Sequence, residues 1–197
     1  MAKRRSKIDV AVIIPDASPI LTLHRVGRLD VLDLIDAPIH LVDQVHYEVT
    51  KPANDPDGSI AAAIQRMGNS LQVVETAVGT GFRTMRARDP SFRSKNLGEQ
   101  AVAEHVLRLL DQKAPGFVPL VWFEDPGVVE MEMFKNERIH FLTTAALLQI
   151  LLRSGLLPDA KSIQRQIDGQ RKSPLAKVER PGRIMKRVSQ WRPKAKS

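Results

Sequence analysis

The chain has 197 residues, 43% of them hydrophobic, and a formal net charge of +8. That length suits one domain of ordinary size with room for an appendage, and the apolar content suffices for a core of two or three layers. The lack of cysteine excludes disulfides, thiolate zinc sites and cysteine nucleophiles and fits a reducing, cytoplasmic setting, and no run of eighteen apolar residues is present to span a membrane.

The opening, Met1 to Lys7, carries four Lys/Arg and no acid, and the apolar stretch after it stops early, at Pro15-Asp16. It makes a poor secretory signal and a good first β-strand. Short apolar runs predict strands at Val10–Pro15, Pro38–Val42, Leu71–Glu75, Val118–Phe123 and Ile139–Leu142. Between them, Ser18-Pro19 predicts an N-cap and first helical position for a helix to about Val26. A short helix over Leu29 to Ile35 follows, and Asp43 is placed to cap a helix holding Val45, Tyr47, Glu48 and Val49. Ser59 to Met67 reads as a helix ending at Gly68. Leu97 to Lys113 carries the clearest helical stripe, in Leu97, Ala101, Val102, Val106, Leu109 and Leu110. Val128 to Phe134, Thr144 to Arg153 and Lys161 to Gln170 complete the helices. Strands alternating with amphipathic helices predict an α/β domain with a mostly parallel sheet.

Charge divides the chain into a basic N-terminal tail (1–8), a body (9–160) and a basic C-terminal extension (161–197). The extension has twelve Lys/Arg against Asp168 and Glu179, whereas residues 8–160 hold fourteen Lys/Arg against twenty Asp/Glu, a net of −6. The two ends therefore suit a polyanion such as nucleic acid, and a solvated tail serving solubility is the plainer alternative. Trp191, set among basic residues, offers a stacking face for a base or an anchor onto the body.

Asp16 directly follows an apolar strand and precedes a helix, and Glu124 and Asp125 stand in the same relation to the fourth run. In open parallel sheets, ligand sites lie beyond the carboxyl ends of the strands. Each acid has an ordinary explanation by itself: Asp16 as a helix cap, Glu48 as a solvated surface acid. Glu99 can reach back to the Asn96 backbone N–H in a capping box. Gathered together they would repel and raise one another's pKa unless a cation compensates. An all-oxygen set suits Mg²⁺ or Mn²⁺, and paired ions of that kind activate water against phosphodiesters.

The run from Ile13 to Leu32 containing Asp16-Ala-Ser18-Pro resembles the opening of PIN domains of the branch related to VapC toxins. Leu41-Val-Asp-Gln-Val-His-Tyr-Glu48-Val, Asn96-Leu-Gly-Glu99-Gln-Ala, Phe123-Glu124-Asp125 and the segment from Phe141 through Thr144 to Gly155 resemble that family's later motifs, in order, across residues 9–160. The resemblance implies a PIN-like three-layer α/β/α fold, often dimeric. It also implies Mg²⁺- or Mn²⁺-dependent endoribonuclease activity and the toxin role of a toxin–antitoxin pair, with an antitoxin protein as partner. Asp16, Glu48, Glu99 and Asp125 would be the catalytic acids, the metal being held by Asp16, Glu99 and either Asp125 or Glu124, with Ser18 and Thr144 auxiliary. The pattern departs from the family where Glu124 replaces the first of two aspartates, where Val128-Val129-Glu130 lacks an arginine, and where Thr143-Thr144 replaces Gly-Thr. Those departures, with the charged ends, motivate the alternative of a catalytically inactive nucleic-acid-binding module.

Arg83, Arg86, Arg88, Arg93 and Lys95, interrupted only by Asp89, form a basic polar stretch ahead of Glu99, read as a loop that holds RNA phosphates. The five histidines show no metal-ligand spacing, and Gly79-Thr-Gly81 lacks the rest of a dinucleotide fingerprint.

Overall fold

The computed structural model describes residues 10–170 apart from Pro115 and Pro126; the N-terminal tail, the extension beyond Gln170 and Trp191 lie outside the described residues. The five apolar runs form five strands, β1 (Val12–Pro15), β2 (Ile39–Val42), β3 (Leu71–Val74), β4 (Pro119–Phe123) and β5 (His140–Thr143). All pair in parallel, in the order β3-β2-β1-β4-β5. Every residue of β1 and β4 is buried, as parallel strands covered on both faces require, whereas edge strand β3 leaves Gln72 and Val73 in solvent. Helices flank the sheet in a three-layer α/β/α arrangement. They are α1 (Ala17–Arg25), α2 (Asp43–Thr50), α3 (Ser59–Met67), α4 (Ala77–Arg88), α5 (Leu97–Gln112), α6 (Gly127–Glu130), α7 (Thr144–Arg153) and α8 (Ala160–Gln170). Among the described residues no helix is long and apolar enough to cross a membrane.

Several boundaries differ from the sequence-based expectation, each for a local reason. Helix α1 starts at Ala17 with Asp16 as its cap, because the Asp16 carboxylate accepts from the Ser18 N–H; Ser18 is inside the first turn. Asp43 is the first residue of α2 rather than its cap, and its carboxylate turns sideways toward α4. Leu29–Leu34 winds as a 3-10 helix, and the 128–134 segment splits into α6 and a 3-10 turn, Glu132–Phe134. The basic stretch is no single loop: residues 77–88 form α4, whose first N–H groups Glu104 of α5 accepts. The capping box at Asn96 does not form. Asn96 takes a left-handed conformation with φ +57° and makes no side-chain cap bond. Helix α8, opening the segment read as an extension, buries Ala160, Ile163 and Ile167.

Candidate functional site

Strands β2 and β3 extend from one side of β1, and β4 and β5 from the other. The chain thus reverses its direction of travel across the sheet between β1 and β4, which opens a crevice at their carboxyl ends. Register sets Pro15 beside Trp122, and the Asp16 N–H continues the ladder to the Trp122 carbonyl at 2.8 Å. Asp16 therefore leaves β1 at the mouth of that crevice, and Glu124 and Asp125 leave β4 there. Asp16 is only 8% exposed. The Ser18 hydroxyl donates to its Oδ2 at 3.1 Å, which fixes the carboxylate's rotation.

Helix α2 brings Glu48 to the same place by its periodicity. Val45 and Val49 enter the core, and the Asp43/Tyr47 face meets α4. The remaining face carries Gln44 and Glu48, four residues apart and hydrogen-bonded through Gln44 Nε2 and Glu48 Oε1 at 3.1 Å. That face abuts the start of α5. A Cβ on Gly98 would lie 3.2 Å from Glu48 Oε2, 3.4 Å from Oε1 and 3.6 Å from Asp16 Oδ1. Carboxylates from two elements thus close on one backbone position, and glycine is what lets them approach.

Glu99 follows at once on α5. Burial, and then the negative charges of Asp16 and Asp125, push its carboxyl above the usual range, against a hydrogen bond from its own backbone. Glu48 shifts the same way through burial, and then through Asp16 and Glu99, against the Gln44 bond and Lys51. Asp125 is exposed, with Oδ1 accepting from the Gly127 N–H at 2.8 Å where α6 begins. The acids of β1, α2, α5 and the β4 end therefore sense one another electrostatically, as like charges sharing a site do. Glu124, half-buried, sits between the last strand residue and Asp125.

Comparison with protein-family models, curated proteins and solved structures gives no match.

Thr144 opens α7 at the carboxyl end of β5, 1% exposed, and its hydroxyl accepts the Trp122 indole N–H at 3.1 Å. It ties β5 to the wall of the crevice, while Thr143 caps the helix. The basic residues separate into different duties. Arg83 is bound to Asp43 Oδ2 at 2.6 Å and reaches Glu75 at 3.6 Å. Arg86 and Arg93 bond loop carbonyls, while Arg88 and Lys95 are exposed and pair with no described residue.

Sequence reading took Asp43 for a helix cap and missed the network that it anchors. Only 7% exposed, Asp43 accepts from the Thr76 hydroxyl at 2.7 Å, the Gln44 N–H at 3.0 Å and Arg83. It fills the space where Gly79 would carry a side chain, with Oδ2 2.2 Å from that Cβ position. This buried network locks α4 onto α2. The sequence signal of Asp43 was that of a helix cap following an apolar strand. Among the described residues only His24, Asp55 and Asp57 bring three ligand atoms within 4.8 Å of one another; no three of the crevice acids approach that closely. Protein donors already serve the His24 group: Asp55 accepts two N–H groups at the start of α3, Asp57 accepts from the Ser59 N–H, and His24 shares a bond with the Ser59 hydroxyl. It reads as a helix cap.

Proposed function

We propose that this protein is a PIN-like, divalent-metal-dependent endoribonuclease whose reaction centre is the crevice beyond β1 and β4. The observation that carries the reading is the convergence of Asp16 and Glu48 on Gly98, with Glu99 and Asp125 within electrostatic reach. By its chemistry the donor set suits the implied ion: carboxylate oxygens alone, with two of the four acids pushed toward protonation by burial and then by their neighbours, suit Mg²⁺ or Mn²⁺ and suit softer metals poorly. Asp16, Glu48, Glu99 and Asp125 would hold it, with Glu124 beside them. The bound cation supplies charge neutralisation and a water of lowered pKa for attack on a phosphodiester.

The protein's own part is positioning. Ser18 holds Asp16 Oδ2, which leaves Oδ1 on the Gly98 side. Gln44 holds Glu48 Oε1. Of the four acids, Glu48 and Glu99 have their proton affinity raised, by burial first, and are the ones suited to take a proton from water. Holding these groups on helix and strand ends converts a diffusional encounter into a positioned one. The toxin role, with a protein antitoxin and a dimeric state, belongs to the same proposal and rests on the motif resemblance alone.

The test is cleavage of single-stranded RNA by the purified chain with Mg²⁺ or Mn²⁺. Chelation of the metal and Asp16→Asn should each abolish cleavage, the variant keeping its circular dichroism spectrum. Full activity in folded Asp16→Asn would refute the mechanism.

A further inference from the structure

The surface flanking the acids is aromatic and basic at once. Tyr47, the one tyrosine of the chain, is 40% exposed and precedes Glu48 on α2. Its ring lies 5.2 Å from that of Phe82 on α4, which lies 6.1 Å from Phe92 in the loop leading to Glu99. The Arg86 guanidinium stands 6.0 Å from the Phe82 ring. Three rings thus form a row that begins in solvent beside one acid and ends in the segment that delivers another.

Packing accounts for Phe82, which is buried, but not for leaving the tyrosine ring half in water. The charges around the row decide what covers it. Arg86 stands by the middle ring and Arg93 bonds the Phe92 carbonyl, while Arg88 and Lys95 lie exposed in the same basic stretch, engage no described residue, and share that stretch with one acid, Asp89. Tyr, Phe and Arg also occur at protein interfaces, whereas Lys is depleted there. An exposed ring beside a stretch with an excess of positive charge complements a molecule that joins flat π-faces to phosphates.

We propose that Tyr47 is a stacking platform for an unpaired nucleobase of RNA, with the neighbouring phosphates running along Arg86, Arg88 and Lys95. A base can stack there only when unpaired, so the platform makes the cleft select single-stranded over duplex RNA. The choice of RNA rests on the ribonuclease reading above; the stacking itself is measurable without cleavage.

The test uses the full chain with labelled tyrosine, whose ring signals arise from one residue. A short unstructured oligoribonucleotide, added in chelator, should shift the Tyr47 ring resonances, and a blunt RNA duplex should not. Tyr47→Ala should weaken single-strand binding about tenfold or more, and Tyr47→Phe, which keeps the ring, should bind within about twofold of wild type. A ring unmoved by the single strand, an equal response to duplex, or unchanged affinity in Tyr47→Ala each overturns the platform and leaves the patch to a protein partner. Metal-dependent cleavage measured in parallel keeps the two ideas apart. Cleavage that needs Asp16 but ignores Tyr47→Ala overturns the platform alone. Tyr47-dependent binding without any metal-dependent cleavage supports the platform and overturns the enzyme.

Discussion

Glu48 and Gly98 approach each other so closely that a methyl group on Gly98 would stand 3.2 Å from Glu48 Oε2. Gly98 lies in the first turn of α5 with ordinary helical backbone, so its lack of a side chain serves proximity and not conformation. Gly98→Ala should leave the fold intact, since alanine favours helix by about 1 kcal/mol. It should displace Glu48 by a few tenths of an ångström or more, and misplacements of that kind cost catalysis heavily. We expect RNA cleavage to fall at least tenfold with melting temperature unchanged or slightly higher. Undiminished cleavage would mean that Glu48 is not part of the reaction centre.

The raised carboxyls of Glu48 and Glu99 make a stability prediction whose sign is opposite to that of most acids. Their folded pKa values exceed the unfolded ones. Stability is therefore fully present below the ordinary glutamate pKa and is lost as pH rises through the folded value. Glu48→Gln should melt higher than wild type at pH 8 in chelator, and the difference should shrink toward pH 4. Adding Mn²⁺ should raise the wild-type melting temperature more than that of the variant. A variant less stable than wild type at pH 8 in chelator would count against the burial and repulsion that raise these carboxyls.

Away from the crevice, His40 Nδ1 and His105 Nε2 lie 2.9 Å apart, and the Arg108 guanidinium contacts His105 Nδ1 at 3.0 Å. Arg108 can only donate, so neutral His105 carries its proton on Nε2 and gives it to His40. Burial, then the neighbouring His40 and Arg108, lowers the His105 pKa to about 4, and burial with Lys113 lowers that of His40. Depressed folded values give stability that is complete above about pH 6.5 and is lost as pH falls through the folded pKa. Ring-proton NMR should show His105 still neutral at pH 5. An ordinary titration near pH 6.5 would dispose of the buried pair.

Gly79→Ala places a methyl onto the Asp43 carboxylate, 2.2 Å from Oδ2, where three donors hold that group. Overpacking of this kind costs about 1–3 kcal/mol. Asp43→Ala removes the obstacle but leaves the Arg83 and Thr76 donors without their acceptor. The double variant should be less destabilised than the two single losses added together, a non-additivity expected of touching residues. Strict additivity in urea denaturation would place Gly79 and Asp43 in separate environments.

What the sequence made legible was whatever depends on local pattern. The apolar runs became the five strands within two residues at each end, and the stripe from Leu97 became α5. Asp16 was readable because a single acid ending an apolar run before a helix has few places to go. Helix α4 was hidden because Gly79 and Gly81 weaken its helical signal and few of its residues are buried. Its stability comes from contacts remote in sequence, Glu104 at its start and Asp43 along its side. The Asn96 cap misled because its side chain matched the pattern while its backbone went left-handed. The placement of Glu48 depended on a glycine fifty residues away, a relation that only the folded chain expresses.

The measurement that bears most directly on the acid pocket is a Mn²⁺ titration of the full chain, read by electron paramagnetic resonance, comparing wild type with Asp16→Asn and Glu99→Gln. Wild type should withdraw Mn²⁺ from the free-ion signal at low concentration, and each variant, folded by circular dichroism, should lose that binding by tenfold or more. Wild-type binding that both variants retain in full would place the metal elsewhere and contradict the pocket.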